Sequence, residues 1–169
     1  MSRKRFDEMN CGVAQAFEQV GDWWTLLIVR DALFGATRFQ DFEKSLGIAK
    51  NILSDRLSKL VEHQILEKHK LEEPGNRSEY RLSRKGRDLW LLLTAMRLWS
   101  DKWVFGEGGI PLKFRERGSG REVAGLVAVD ADGVVVDAAE LEWAAGPGWA
   151  VGESVPENTS FDRVRLETA

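Results

Sequence analysis

Few side chains in this sequence could do covalent or metal chemistry, and none stands beside a partner that would activate it. His63 and His69 lie six residues apart with no thiol nearby, which is not a zinc-ligand spacing. Asp130, Asp132 and Gly133 suggest a calcium loop. With Gly133 as its sixth residue, however, the first and twelfth ligands would be Ala128 and Ala139, which cannot ligate. Gly118, Gly120 and Gly125 form a GxG pattern with no helix behind it, so they read as turn glycines. No GxSxG or Walker sequence is present. Without a paired nucleophile and base, the sequence points away from an enzyme, a metal site or a cofactor. Cys11 is the single thiol. It falls at the start of the first expected helix, where amide dipoles favour negative charge, and Arg3, Lys4 or Arg5 could assist. It has two readings. One is a redox sensor, whose oxidation would give an intersubunit disulfide, a mixed disulfide or a sulfenic acid; the other is a small buried apolar side chain.

The other chemistry is recognition. Residues 38–60, RFQDFEKSLGIAKNILSDRLSKL, read as two short helices joined at Gly47. Phe39, Phe42 and Leu46 recur at helical spacing, and Gly47 stands where a left-handed residue would end the first helix. In the second, Leu53, Leu57 and Leu60 form a narrow apolar stripe. Asn51, Asp55 and Ser58, flanked by Ser54 and Lys59, form a polar face. One buried face and one face of short hydrogen-bonding side chains suit the major groove of DNA. A recognition helix over about residues 49–62 would offer Lys50, Asn51, Ser54 and Ser58 to bases or nearby phosphates. Arg38, Arg56, Lys59 and Arg77 would serve phosphates or the minor groove, unless Arg56 pairs with an acid of a neighbouring helix. The spacing alone also fits an ordinary amphipathic hairpin, so the surrounding elements decide.

Upstream, a polar terminus precedes a helix over residues 11–20, with Val13, Phe17 and Val20 on one face. Asp22 is a good N-cap for WWTLLIVRDALF, which is apolar nearly all round and is expected in the core. Downstream, residues 65–72 and 79–82 read as strands about the turn Pro74-Gly75-Asn76. Two strands with Asn76 and Arg77 at their tip, behind a recognition helix, form a wing. Ser83 can then cap a helix over residues 84–104. That helix is apolar on more than one side: Leu89, Leu92, Leu93 and Met96 on one, Trp90, Leu91 and Leu98 on another. Each large apolar side chain left exposed forgoes roughly 1.5–3 kcal/mol, which favours burial against a second copy. Coverage by the C-terminal segment is the alternative.

The character changes at Gly106. Residues 112–116, 123–129, 134–136 and 141–143 look like short strands, with Asp132-Gly133 as a hairpin turn. They make a small β appendage as far as about residue 146, followed by a tail expected to be partly disordered. The charge divides in the same place. The 169-residue chain carries a formal net charge of −3. Residues 1–103 hold 18 Lys and Arg against 15 Asp and Glu, a net +3, and residues 104–169 hold 6 against 12, a net −6. The mildly basic front permits phosphate binding without demanding it. No apolar run nears the ~20 residues that span a bilayer. The first ten residues lack the apolar stretch of a secretory signal, so a cytoplasmic location is expected.

In this order the pieces resemble the HxlR family of bacterial winged helix-turn-helix regulators, related in fold to the MarR family. The resemblance is carried by Cys11, Gly21-Asp22-Trp23-Trp24-Thr25-Leu26-Leu27-Ile28, Arg38-Phe39, Gly47-Ile48 and Leu53-Ser54-Asp55-Arg56-Leu57. It continues in Glu79-Tyr80-Arg81-Leu82-Ser83, Gly86 and Trp99-Ser100-Asp101-Lys102-Trp103, so it covers about residues 11–104. It implies a homodimer built largely from the first and last helices, bound to a pseudo-palindromic operator. It also implies a cysteine near the start, matched by Cys11, that some members use to sense oxidants or electrophiles. The sequence departs from the family at Ala49, where Ser or Thr usually caps the recognition helix; losing a cap costs about 0.5–2 kcal/mol. It also has Gly75-Asn76 and Ser78 where proline and an apolar residue are more usual. The appendage resembles a C-terminal extension that carries zinc-ribbon cysteine pairs and ends in a motif like Gly146-Pro147-Gly148. Ser119, Val129 and Asp132 stand roughly where cysteines would, so the resemblance implies that any metal has been lost.

The sequence therefore predicts an α+β protein: a winged helix-turn-helix DNA-binding domain with a small C-terminal β appendage. Its divisions are residues 1–104, 105–146 and 147–169. The expected partners are double-stranded DNA and a second copy of the chain, joined through Val13, Phe17, Leu89, Trp90, Leu93, Met96, Trp99 and Trp103. Two other functions stay open. One is a redox or small-molecule sensor working through Cys11 or a pocket of Trp23, Trp24, Trp90 and Trp99; the other is a protein-interaction module using the acidic appendage.

Overall fold

Apolar residues at helical spacing draw the first helices onto one core. The computed structural model describes residues 6, 8–72, 77–106, 108–137, 140–141, 144 and 146–148. It divides into two compact units, Met1–Gly109 and Ile110–Ala169. In the first unit α1 (Gly12–Val20), α2 (Trp23–Leu33), α3 (Phe39–Leu46) and α4 (Lys50–Glu62) precede an antiparallel pair, β1 (Leu66–Lys70) and β2 (Ser78–Leu82). Then come α5 (Arg84–Asp88), α6 (Trp90–Ser100) and a π-helical segment, Asp101–Phe105. The core joins Val20 of α1, Ile28 and Val29 of α2, Phe42 of α3, Ile48 from the turn after it, Leu53, Leu57 and Leu60 of α4, and Ile65 and Leu66 at the start of the wing. Burying these branched and aromatic side chains stabilises the unit by roughly 1.5–3 kcal/mol each before chain entropy is counted.

α3 ends as its sequence demands, with Gly47 left-handed at φ +60°. The wing strands pair from Leu66 opposite Leu82 to Lys70 opposite Ser78. A third short edge, absent from the sequence reading, comes from the residues just before α3: Arg38 bridges Glu79, and the Tyr80 N–H donates to the Thr37 carbonyl at 2.7 Å. Ser83 closes the wing. Its hydroxyl donates to the Gln64 carbonyl at 2.6 Å and accepts the Gly86 N–H at 3.0 Å. Gly86 fits because a Cβ there would lie 2.1 Å from the Ile65 carbonyl oxygen. Any side chain would force α5 off the wing.

Three expectations change. The helix over residues 84–104 is not continuous. At Leu89 the N–H reaches back three residues to Gly86, which tightens the turn between α5 and α6. At Gly106 it reaches back five, to Asp101, which widens the last turn into the π segment. α2 is not apolar-buried all round: it buries Thr25, Ile28, Val29 and Asp31, while Trp23 is 76% exposed and Phe34 is also exposed. α1 buries Ala14 and Val20 and leaves Val13 and Phe17 outside, because its packed face is rotated from the Val13–Phe17 line.

The second unit holds two short hairpins where longer strands were expected. In one, Arg115 bridges Glu122 across a turn through Gly118 and Gly120. In the other, β3 (Ala128–Val129) pairs with β4 (Val135–Val136), and the Asp130 carboxylate accepts the Asp132 and Val134 N–H groups at 2.9 Å each. Side chains here are largely exposed, so apolar alternation had no core to fix longer strands. Ser119, at a position where the resemblance would place a cysteine, instead donates to Glu116, whose carboxyl that bond and Arg121 hold below its ordinary value. Most of residues 141–143 and the tail from residue 149 fall outside the described residues. No helix among the described residues is long and apolar enough to cross a membrane.

Candidate nucleic-acid interface

α4 is held by its buried stripe, Leu53, Leu57 and Leu60, packed on α2, α3 and β1. That anchoring leaves Lys50, Asn51, Ser54, Asp55, Ser58 and Lys59 exposed along the opposite side. Ala49 occupies the N-cap with no side-chain bond, as an alanine must. Lys50 lies 3.6 Å from Glu43, an exposed pair that contributes little and leaves the ammonium able to move. Lys59 donates to Asp55 at 2.9 Å. That bond is the first cause holding the Asp55 carboxyl below its ordinary value; burial, next in size, opposes it, and the charges of Lys59 and Arg56 and the Arg56 bond add smaller contributions in the lowering direction.

Arg56 takes the alternative that was open for it. Its Nε donates to Asp22 Oδ1 at 3.0 Å and its Nη2 to Asp22 Oδ2 at 2.9 Å, a two-bonded clamp between α4 and the start of α2. The pair is mostly buried, at 19% and 22% exposure. Nη1 donates to Asp55 at 2.6 Å. Asp22 Oδ1 also accepts the Trp24 N–H at 3.0 Å, so the cap expected of Asp22 has a second duty that α2 alone did not reveal.

Arg38 is the N-cap residue of α3, its N–H bonded to Asp41 at 2.9 Å. Arg77 lies just before β2, and its carbonyl accepts the Leu71 N–H at 2.9 Å. Arg38 and Arg77 line one cleft, together with Lys68 and Tyr80, which sequence reasoning passed over. Lys68 and Tyr80 are cross-strand partners, so counting outward from the wing turn would have paired them. Asn76 lies outside the described residues.

Cys11 is exposed at the N-cap position of α1 rather than buried. Of the residues expected between subunits, Phe17 is 53%, Trp99 62% and Trp103 66% exposed, and Val13, Trp90 and Met96 are exposed as well. Leu89 and Leu93 differ: both are half-buried against the core of their own chain. Trp23, Trp90 and Trp99 lie exposed, whereas Trp24 packs partly on the core.

A helical pair with a buried stripe and a polar outer face, followed by a two-stranded wing, defines a winged helix-turn-helix transcriptional regulator. Comparison narrows the class: residues 19–107 match the HxlR-like helix-turn-helix model, and the chain belongs to that family. It is 34% identical over 137 residues to the HTH-type transcriptional regulator Rv3095 of Mycobacterium tuberculosis, covering 81% of this chain and 87% of that one. The crystal structure of PA1607, described as a candidate transcription factor, is 40% identical with a TM-score of 0.76, over 85% of this chain and all of that one. The transcriptional regulator YodB of Bacillus subtilis, in its reduced form, is 28% identical with a TM-score of 0.50, over 59% of this chain and all of YodB.

Proposed function

We propose that the protein is a homodimeric, sequence-specific regulator acting in the cytoplasm, which places α4 of each subunit in the major groove of a pseudo-palindromic operator. The observation that carries this reading is the exposed polar side of α4, fixed in place by the buried Leu53, Leu57 and Leu60. Lys50, Asn51, Ser54 and Ser58 meet base edges or nearby phosphates, and Arg38, Lys59, Asn76 and Arg77 meet the backbone or minor groove. Arg56 positions α4 through Asp22. The exposed apolar residues of α1, α6 and the π segment supply the subunit contact. Selection of duplexes from a random pool by the purified protein tests the reading. An inverted repeat is the expected product; recovery of unrelated sequences would refute sequence-specific binding by a symmetric dimer.

One observation favours an added input. Cys11 is exposed where α1 begins, and the chain is similar to YodB, a regulator whose crystal structure is of a reduced form. Under this reading diamide treatment lowers operator affinity in the wild type and leaves Cys11→Ser unaffected. An equal loss in both would remove Cys11 from the response.

A further inference from the structure

A cavity of about 320 Å³ opens between α1, the start of the wing and α5. Gly12, Ala16 and Val20 line it at helical spacing from α1, and Ile65 and Leu89 complete its apolar lining. The two small residues keep α1 from filling the space with its own side chains. Val13 and Phe17 do not line it, so it lies on a different side of α1 from the surface assigned to the partner subunit. Among the described residues no tryptophan and no carboxylate line it. Lys85 is the one charged side chain there. Its ammonium donates to the Gln19 side-chain oxygen at 2.6 Å and to the His63 carbonyl at 2.9 Å, both neutral acceptors. An ammonium has three N–H donors, so these bonds leave one for an anion. Gln19 belongs to α1, and His63 is the C-cap of α4. One lysine thus ties the cavity to both helices.

We propose that this cavity binds a small aliphatic monocarboxylate, whose chain lies along Ala16, Val20, Ile65 and Leu89 and whose carboxylate accepts from Lys85. The lining selects that class. Its small and branched aliphatic groups offer no ring for stacking, which favours a flexible chain over a planar aromatic acid. One cation bonded only to neutral acceptors matches one negative charge. The cavity has the size and the mostly apolar, sparsely polar lining of a small-molecule site. Binding is independent of how the protein meets DNA, but its regulatory consequence rests on the reading of α4 as the DNA-binding helix. A carboxylate on the third donor fixes the Lys85 ammonium, and with it the link from α1 to the end of α4. Holding α4 in place before it meets the duplex favours operator binding.

The test uses the full chain, with octanoate as the probe and octanol as its uncharged counterpart, in calorimetric titrations and thermal melts without DNA. Octanoate should bind saturably and raise the melting temperature of the wild type. Octanol should bind at least about tenfold more weakly, the loss expected of one charge-assisted bond. Lys85 and Ala16 are exposed, so substitutions there should fold, as the melts would confirm. Lys85→Gln should bring octanoate down to the level of octanol. Ala16→Leu, which fills the cavity, should abolish binding of both. Equal binding of the two probes to the wild type, or octanoate binding that neither variant alters, overturns the proposal. An absence of octanoate binding overturns it as well; if Ala16→Leu also weakens the dimer, the cavity belongs to the second subunit. On the duplex selected from a random pool, saturating octanoate should raise wild-type affinity by about fivefold or more and leave Ala16→Leu unchanged. Octanoate binding with no gain on that duplex refutes the link to α4 and keeps the cavity. A protein that binds octanoate but captures no duplex overturns the α4 reading alone.

Discussion

Asn51 and Lys59 share the exposed side of α4 but differ in chemistry. An amide can donate and accept in the plane of a base edge, whereas an ammonium offers only charge. Asn51→Ala should therefore relax sequence preference, lowering operator affinity by roughly 1–3 kcal/mol with little change on random DNA. Lys59→Ala should weaken both about equally and reduce the salt slope by about one unit. Binding isotherms on the two duplexes separate the cases, and equal losses for Asn51→Ala would remove it from base readout. Asp55 gives a second prediction. Its carboxyl is held below the ordinary 3.8, first by the Lys59 bond, so its contribution is present above that value and is lost as pH falls through the lowered one. The group is half-exposed, so the loss is small. Urea unfolding carried into the acid range should show a stability decline in the wild type that is shallower in Asp55→Asn. At this scale the polar face was legible, because helical period alone separates Asn51 and Ser58 from Leu53 and Leu57. The partner of Arg56 was not, because Asp22 is 34 residues away and nothing in residue type specifies which acid it meets.

The Asp22–Arg56 clamp belongs to the scale of elements, since it joins the first turn of α2 to the middle of α4. Asp22→Asn is the informative change. Asparagine caps as well as aspartate, so α2 keeps its start while the charge is removed. Leaving Arg56 mostly buried beside a neutral amide should cost about 1.5–3 kcal/mol in urea unfolding. It should also lower operator affinity at temperatures where the variant is folded, because α4 loses its fixed angle. Arg56→Lys should fare no better, since an ammonium cannot make two parallel bonds to one carboxylate. If stability falls while operator affinity stays constant, the clamp is structural only. The elements themselves were readable to different degrees. α3 and α4 followed their period because each buries one face. The 84–104 stretch did not reveal its division, because a bond shifted to the third or fifth residue back at Leu89 and Gly106 leaves no mark on residue type. The appendage strands alternated correctly but had nothing to bury, so only two residues of each β3–β4 strand formed a ladder.

For the whole molecule the decisive quantity is the apolar surface that the first unit cannot cover. Trp99 and Trp103 lie about two-thirds exposed at the end of α6 and just beyond it, and Phe17 is half-exposed on α1. Leu89 and Leu93 already pack on the core, so the subunit contact should centre on the tryptophans and α1 rather than on the first turn of α6. Buried aromatic residues dominate most interfaces, and truncating one costs at least about 2 kcal/mol of association. Trp99→Asp should go further, because dimerisation would then bury an unpaired charge on each subunit about the two-fold axis. Its side chain lies outside the monomer core, so the variant should keep the wild-type helical circular dichroism. Sedimentation equilibrium should show a dimer for the wild type and a monomer for Trp99→Asp. Operator binding should fall steeply in the variant, while half-site binding stays weak and similar in both, because each monomer keeps its α4. A Trp99→Asp protein that remains dimeric would move the interface off α6 and leave the exposed tryptophans to another partner.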